Sequence, residues 1–186
     1  MAVCTTILPA ASADECAVNG VFGEISRIYF TRHSTVDELA DATDDAEWET
    51  RLSNSTTLSA SNVAAAIRYL YGKGELVEPE QTTIPASLDR EVYSPAKFTV
   101  NFTVDDTSAT NYSFASSLVA ANGQLFKCWM YNDGYLFGGD AGFAATMRAR
   151  FIIPKEKTAL RTIEISLVWT DTMPTMATSA FIPTPA

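Results

Sequence analysis

Apolar and polar residues alternate with period two along much of the second half of this chain. The clearest stretch is 97–104, with Phe98, Val100, Phe102 and Val104 on one face and Thr99, Asn101 and Thr103 on the other. Successive side chains of a strand point to opposite faces, so this segment predicts a half-buried β-strand. The same alternation covers 143–153, where Met147, Ala149, Phe151 and Ile153 are interleaved with Arg148 and Arg150. It returns over 160–170, where Ile163, Ile165, Leu167 and Trp169 alternate with Thr162, Glu164 and Ser166. The two segments predict a strand pair joined by the loop 154–157. Residues 124–131 and 134–138 predict a hairpin around Asn132-Asp133-Gly134, because Asp-Gly readily takes the positive φ of a tight turn.

Earlier strands are less regular. Residues 23–31 place Ile25, Tyr29 and Thr31 on one face and Ile28 and Phe30 on the other, which predicts a strand covered on both sides. A strand over 67–71 is expected to end in a turn at Gly72-Lys73-Gly74. Residues 75–87 read as extended, but Pro79 and Pro85 have no N–H to donate, so an edge or bulged strand is expected.

Helical signals occur in three places. Thr35 and Glu38 form a capping box that predicts a short helix over 36–41. A second helix, 45–53, is capped by Asp44, with Trp48 and Leu52 on one face and Glu47 placed to pair with Arg51. The long helix, 108–121, starts at Thr107 or Ser108, carries Tyr112, Ala115, Leu118 and Val119 as its apolar stripe, and stops at Asn122-Gly123. Residues 54–62 are a polar loop. The expected fold is therefore mainly β, an antiparallel β-sandwich or barrel-like structure with one flanking helix and short N-terminal helices. Residues 1–21 and 171–186 lack periodicity and read as arms on a single core, 22–170.

Composition adds bounds. A chain of 186 residues with 47% hydrophobic and 19% charged residues is an ordered single domain, long enough to bury roughly 70% of its unfolded surface. The formal charge of −9 opposes tight binding to a phosphate backbone, and Lys73, Arg90, Lys97, Arg148, Arg150 and Arg161 are dispersed among carboxylates. No apolar run approaches the length of a membrane span, so no membrane partner is expected. The first residues lack a basic segment, and Pro9 interrupts their short apolar stretch, so no secretory leader is expected. Cys4, Cys16 and Cys128 give neither a disulfide framework nor a zinc pattern; Cys4 and Cys16 could pair, but reduced thiols are the expectation.

Reactive groups are sparse. His33 is the sole histidine and has no nucleophile motif beside it, so it reads as a surface residue. Asp105, Asp106, Asp133 and Asp140 fall in no calcium-loop spacing and read as turn residues. Gly138-Gly139-Asp140-Ala141-Gly142 precedes a strand rather than a helix, which argues for a hairpin or bulge over a phosphate loop. The sequons at Asn54, Asn101 and Asn111 follow from a Ser/Thr-rich composition. No enzyme activity, cofactor or metal is expected.

The order of strands, one helix and further strands between two arms resembles the major tail tube protein of tailed bacteriophages. The resemblance spans about 22 to 170 and is carried by KFTVNFTVDDTSATNYSFASSL and RTIEISLVW. CAVNGVFGEISRIYFT is similar to structural proteins of phages infecting Bacteroidetes, and the helices over 36–53 depart from the minimal tube pattern. The resemblance implies a virion structural protein made in the host bacterial cytoplasm, whose copies form hexameric rings. Those rings would stack into a conduit, contact other virion proteins and let DNA pass without sticking to an acidic wall. On that reading Asp105, Asp106, Asp133 and Asp140 are candidates to face the lumen. Val3, Ile7 and Leu8 in one arm, and Met173, Met176, Phe181 and Ile182 in the other, are candidate anchors on neighbouring subunits. A capsid decoration, head-fibre or head–tail connector protein is the alternative within the class. A secreted carbohydrate-binding or adhesin sandwich is the alternative outside it, with Trp129, Tyr131 and Tyr135 as a stacking platform, although a core role for these rings is favoured.

Overall fold

A computed structural model describes residues 23–33, 38–53, 66–87, 90–121, 123–156, 158–171 and 173–178. Six strands close into an antiparallel barrel in the order β1 (Ile25–Arg32), β2 (Arg68–Glu80), β5 (Ala96–Val104), β9 (Thr162–Asp171), β8 (Phe143–Ile152) and β6 (Leu125–Asn132). The β1–β6 ladder, Arg27↔Tyr131 through Arg32↔Phe126, closes the ring. The chain is mainly β, as expected, with these six strands closed on one another and further strands outside them. Antiparallel pairing sends β1, β5 and β8 toward one end, where β2, β6 and β9 begin.

Inward-facing side chains fill the barrel. Phe98, Val100, Phe102 and Val104 of β5 meet Ile163, Ile165, Leu167 and Trp169 of β9, so the period-two pattern of these segments is borne out. Helix α2 (Ala109–Ala121) connects β5 to β6 and covers the first end. Ser108 caps it, its Oγ accepting from the Asn111 N–H at 3.4 Å, and Gly123 leaves it with φ +85°. The expected apolar stripe needs correction. Ala115 and Leu118 are buried and Phe114 stacks on Phe30 at 4.9 Å, whereas Tyr112 and Val119 are exposed. The helix lies across a barrel mouth and touches it along one narrow line, so only that line is buried.

A second apolar layer lies outside the barrel. Helix α1 (Asp45–Ser53) lays Trp48 and Leu52 against Tyr29, Trp129 and Tyr131, with Leu39, Ile67 and Leu136 around them. This layer is why β1 is apolar on both faces, as its sequence predicts. One detail differs: Ile25 joins Ile28 and Phe30 in the barrel, because a bulge between Ile25 and Arg27 shifts the alternation by one residue. The caps of α1 are as expected, with Asp44 Oδ1 accepting from the Ala46 N–H at 3.0 Å and Arg51 pairing with Glu47 at 3.1 Å. The helix expected over 36–41 is not found in its described part: residues 38–41 are irregular. Their amides are taken elsewhere, Leu39 N–H by the Asp140 carbonyl and Ala40 and Asp41 N–H by the Glu47 carboxylate. Thr35 and the loop 54–62 lie outside the described residues.

Tertiary pairing corrects two more expectations, the turn at residues 72–74 and the unstructured C-terminal arm, and bears out a third, the bulged strand. Gly72-Lys73-Gly74 is not a turn; β2 runs through it, pairing first with β1 and then with β5. A Cβ on Gly72 would stand 2.3 Å from the Thr103 carbonyl oxygen, and one on Gly74 2.7 Å from Phe102 Cδ2, so both glycines serve close approach in the strand. Pro79 sits at a register shift between Val77 and Glu80, as a bulged strand should, and Pro85 belongs to a separate two-stranded ribbon. That ribbon pairs β3 (Thr83–Ser87) with β4 (Arg90–Tyr93) and leaves the end of the barrel opposite α2. Finally, the C-terminal arm contributes β10 (Met176–Thr178), which pairs with β7 (Tyr135–Phe137), itself hairpinned to β6 through Asp133 (φ +30°) and Gly134 (φ +90°).

Candidate functional site

The four candidate carboxylates are not brought together. Asp105 and Asp106 follow β5 at the helix-covered end, and Asp133 follows β6 at the opposite end. All three are exposed. Asp106 is occupied locally, its carboxylate accepting from Ser108 N–H at 2.9 Å and Asn111 Nδ2 at 2.9 Å. Asp140 clamps the segment before α1: its Oδ1 accepts from Ala42 N–H at 2.8 Å.

The glycine-rich turn holding Asp140 closes over Trp129. Gly138, Gly139 and Gly142 take positive φ, and the Gly139 carbonyl accepts from Trp129 Nε1 at 2.7 Å. A Cβ on Gly138 would meet Trp129 Cδ1 at 2.5 Å, so the run is a wrapper for an indole, not an anion cradle. Trp129 and Tyr131 are buried and Tyr135 is half-buried, in line with the core role favoured for these rings over a carbohydrate platform. Trp48 packs edge-on to Trp129 with ring centroids 5.6 Å apart, and that packing consumes the faces a sugar would need. Burial also pushes the Tyr29 phenol well above its ordinary range and keeps it neutral.

The remaining candidates are accounted for singly. His33 is exposed in a turn after β1, and its N–H reaches the Leu125 carbonyl at 3.4 Å. Cys128 is a free, fully buried thiol, pushed upward by loss of solvation. Among the described residues no three His, Cys, Asp or Glu side chains come together as a metal would require. No described helix is long and apolar enough to cross a membrane. Met173 and Met176 are exposed, while Val3, Ile7, Leu8, Phe181 and Ile182 lie outside the described residues.

One concave surface escaped the sequence reading. An open groove of about 870 Å³ crosses the outer wall of β2, β5, β9 and β8, lined by Lys73, Glu75, Asn101, Arg148, Arg150 and Glu164 among others. Arg150 forms a two-pronged ion pair with Glu164. The signal was present in the polar faces of these strands, but only their lateral order places those faces side by side. Bases and carboxylates alternate across it, which suits a charged macromolecular surface better than an anion.

Family models, curated proteins and solved structures were compared with this chain, and none matches.

Proposed function

We propose that this chain is a bacteriophage virion structural protein, most specifically a tail tube subunit. The observation that carries the reading is a closed barrel with one helix across its mouth and a β-ribbon standing clear of the opposite end. A two-stranded ribbon is marginal in water on its own, and this one leaves Ile84 and Tyr93 exposed. Such a feature is supported when a neighbouring subunit covers it. Among the described residues, the ribbon and β10 also retain unpaired strand edges, whereas the six barrel strands have spent theirs on closure. The acidic chain suits a wall past which DNA slides. Passage of DNA, hexameric rings and location in the virion belong to the same proposal.

Negative-stain microscopy of the purified protein at high concentration tests it. Hollow rings or tubes are expected. Solid particles would favour a decoration or connector protein, and monomers alone at every concentration would remove the tube reading.

A further inference from the structure

The turn between β6 and β7 brings together a reactive pair and the group that restrains it. Asp133-Gly134 is the one Asp-Gly step in the sequence. In such a step the glycine nitrogen can attack the preceding side-chain carboxyl, because glycine has no Cβ to obstruct the approach. The electrophile is free here: Asp133 is exposed, and among the described residues its carboxylate has no hydrogen-bond or ion-pair partner. The space is free too, since a Cβ built on Gly134 would meet nothing within 4 Å. Among the described residues Asp133 is also the only one other than glycine held at positive φ, +30°, so part of the turn's strain sits at the reacting residue.

The nucleophile, by contrast, is held. The Gly134 N–H donates to Tyr131 Oη at 3.0 Å, and Tyr131 is itself buried in the layer beneath α1. The ladder pair Asn132↔Tyr135 brackets the turn. Asn132 Nδ2 also donates to the Glu24 carbonyl at 3.0 Å, so the chain just before the turn is anchored. Ring closure requires the Gly134 nitrogen to give up its proton and swing toward Asp133 Cγ. Both movements break the bond to the phenol.

We propose that Asp133-Gly134 is a site of spontaneous aspartyl isomerisation, which the Tyr131 hydroxyl keeps slow in the folded chain. The Gly134 nitrogen bonds to Asp133 Cγ, and the hydroxyl of the protonated side chain leaves with the amide proton as water, closing a cyclic imide. Water then opens the ring. Attack at the side-chain carbonyl restores aspartate, and attack at the main-chain carbonyl leaves the chain running through Cγ as isoaspartate. The net composition is unchanged, and water is the only co-reactant. The isoaspartyl backbone is one carbon longer, which displaces β7 from its register with β10, Tyr135↔Thr178 through Phe137↔Met176. Conversion therefore frees the C-terminal strand. This chemistry belongs to a single chain and stands apart from self-assembly.

The test incubates the unaltered full chain, Tyr131→Phe and Ile165→Val in warm neutral buffer. An isoaspartyl methyltransferase with a labelled methyl donor counts isoaspartate in the tryptic fragment 128–148, which separates this site from Asn19-Gly20 and Asn122-Gly123. Circular dichroism confirms that each variant folds. Removing one hydrogen bond should speed conversion by about two- to tenfold in Tyr131→Phe. The unaltered chain should convert faster in urea than when folded, a comparison that needs no variant. Ile165→Val loses a comparable amount of stability in the barrel core and should convert at the unaltered rate. Equal acceleration in both variants would assign the effect to general unfolding and overturn the proposal. So would an unchanged rate in Tyr131→Phe, or a folded chain that converts as fast as in urea. Hydrogen exchange of the isomerised fraction reads the consequence: amides 176–178 should lose their protection, and retained protection would overturn the release of β10.

Discussion

Substituting the two glycines of β2 tests the account of the barrel at its tightest point. Neither Gly72 nor Gly74 has a positive φ, so alanine suits the backbone at both. On backbone grounds alone, Gly→Ala would stabilise by about 0.4–1 kcal/mol, because the unfolded chain has less freedom to lose. The structure predicts the opposite sign. A Cβ at residue 72 would lie 2.3 Å from the backbone oxygen of Thr103, which β5 holds in place, and 2.7 Å from Phe102 Cε1. At residue 74 the nearest atom is Phe102 Cδ2, at 2.7 Å, and the nearest backbone atom, Asn101 O, is 3.2 Å away. Overpacking of this kind costs about 1–3 kcal/mol, and a clash with fixed backbone belongs at the upper end. For a chain of this length each kcal/mol lowers Tm by about 2–4 °C. Gly72→Ala should therefore lower Tm by about 5–10 °C and Gly74→Ala by about half as much. Trp48, Trp129 and Trp169 are all buried, so tryptophan fluorescence reports the transition. Trimming the ring with Phe102→Leu should recover much of the Gly74→Ala loss in a double-mutant cycle and little of the Gly72→Ala loss. Equal rescue of both, or no loss at residue 72, would refute the assignment of these glycines to close approach.

Two further outcomes follow from the titrating groups. Burial raises the Glu47 carboxyl, but the Ala40 and Asp41 amides and the Arg51 guanidinium outweigh it and hold the group below its ordinary value of about 4.5. Because the folded value is the lower one, the stabilisation is present above pH 4.5 and is lost as pH falls through the folded value. Urea midpoints should thus decline below that pH, less steeply in Glu47→Gln, and identical acid limbs would contradict this. In a chain with Cys4 and Cys16 changed to Ser, Cys128 should react with a thiol reagent at least about a hundredfold more slowly than in urea, since its thiolate is suppressed and out of reach; fast labelling of the folded protein would disprove the burial.

Much of the local structure was legible because it depends on neighbours in sequence. The strands at β5, β8 and β9 follow from alternation, the β6–β7 turn from Asp133-Gly134, and the start of α1 from Asp44. The polar faces carrying Arg148, Glu164 and Asn101 were legible too, though not the groove they jointly line. Asp140 could be read as a turn residue, but its bond to Ala42, nearly a hundred positions away, leaves no trace in local pattern.

The amino-acid order by itself determined a mainly β chain, two helices with their caps, and an unusual scarcity of reactive side chains. Those features rest on dihedral preference, capping and period, which act over a few residues. Tertiary structure alone decided that the sheet closes, since closure requires β1 to find β6 a hundred residues later. Closure in turn set the meaning of Gly72 and Gly74, buried one line of α2 while exposing Tyr112 and Val119, and drew residues 176–178 into the sheet.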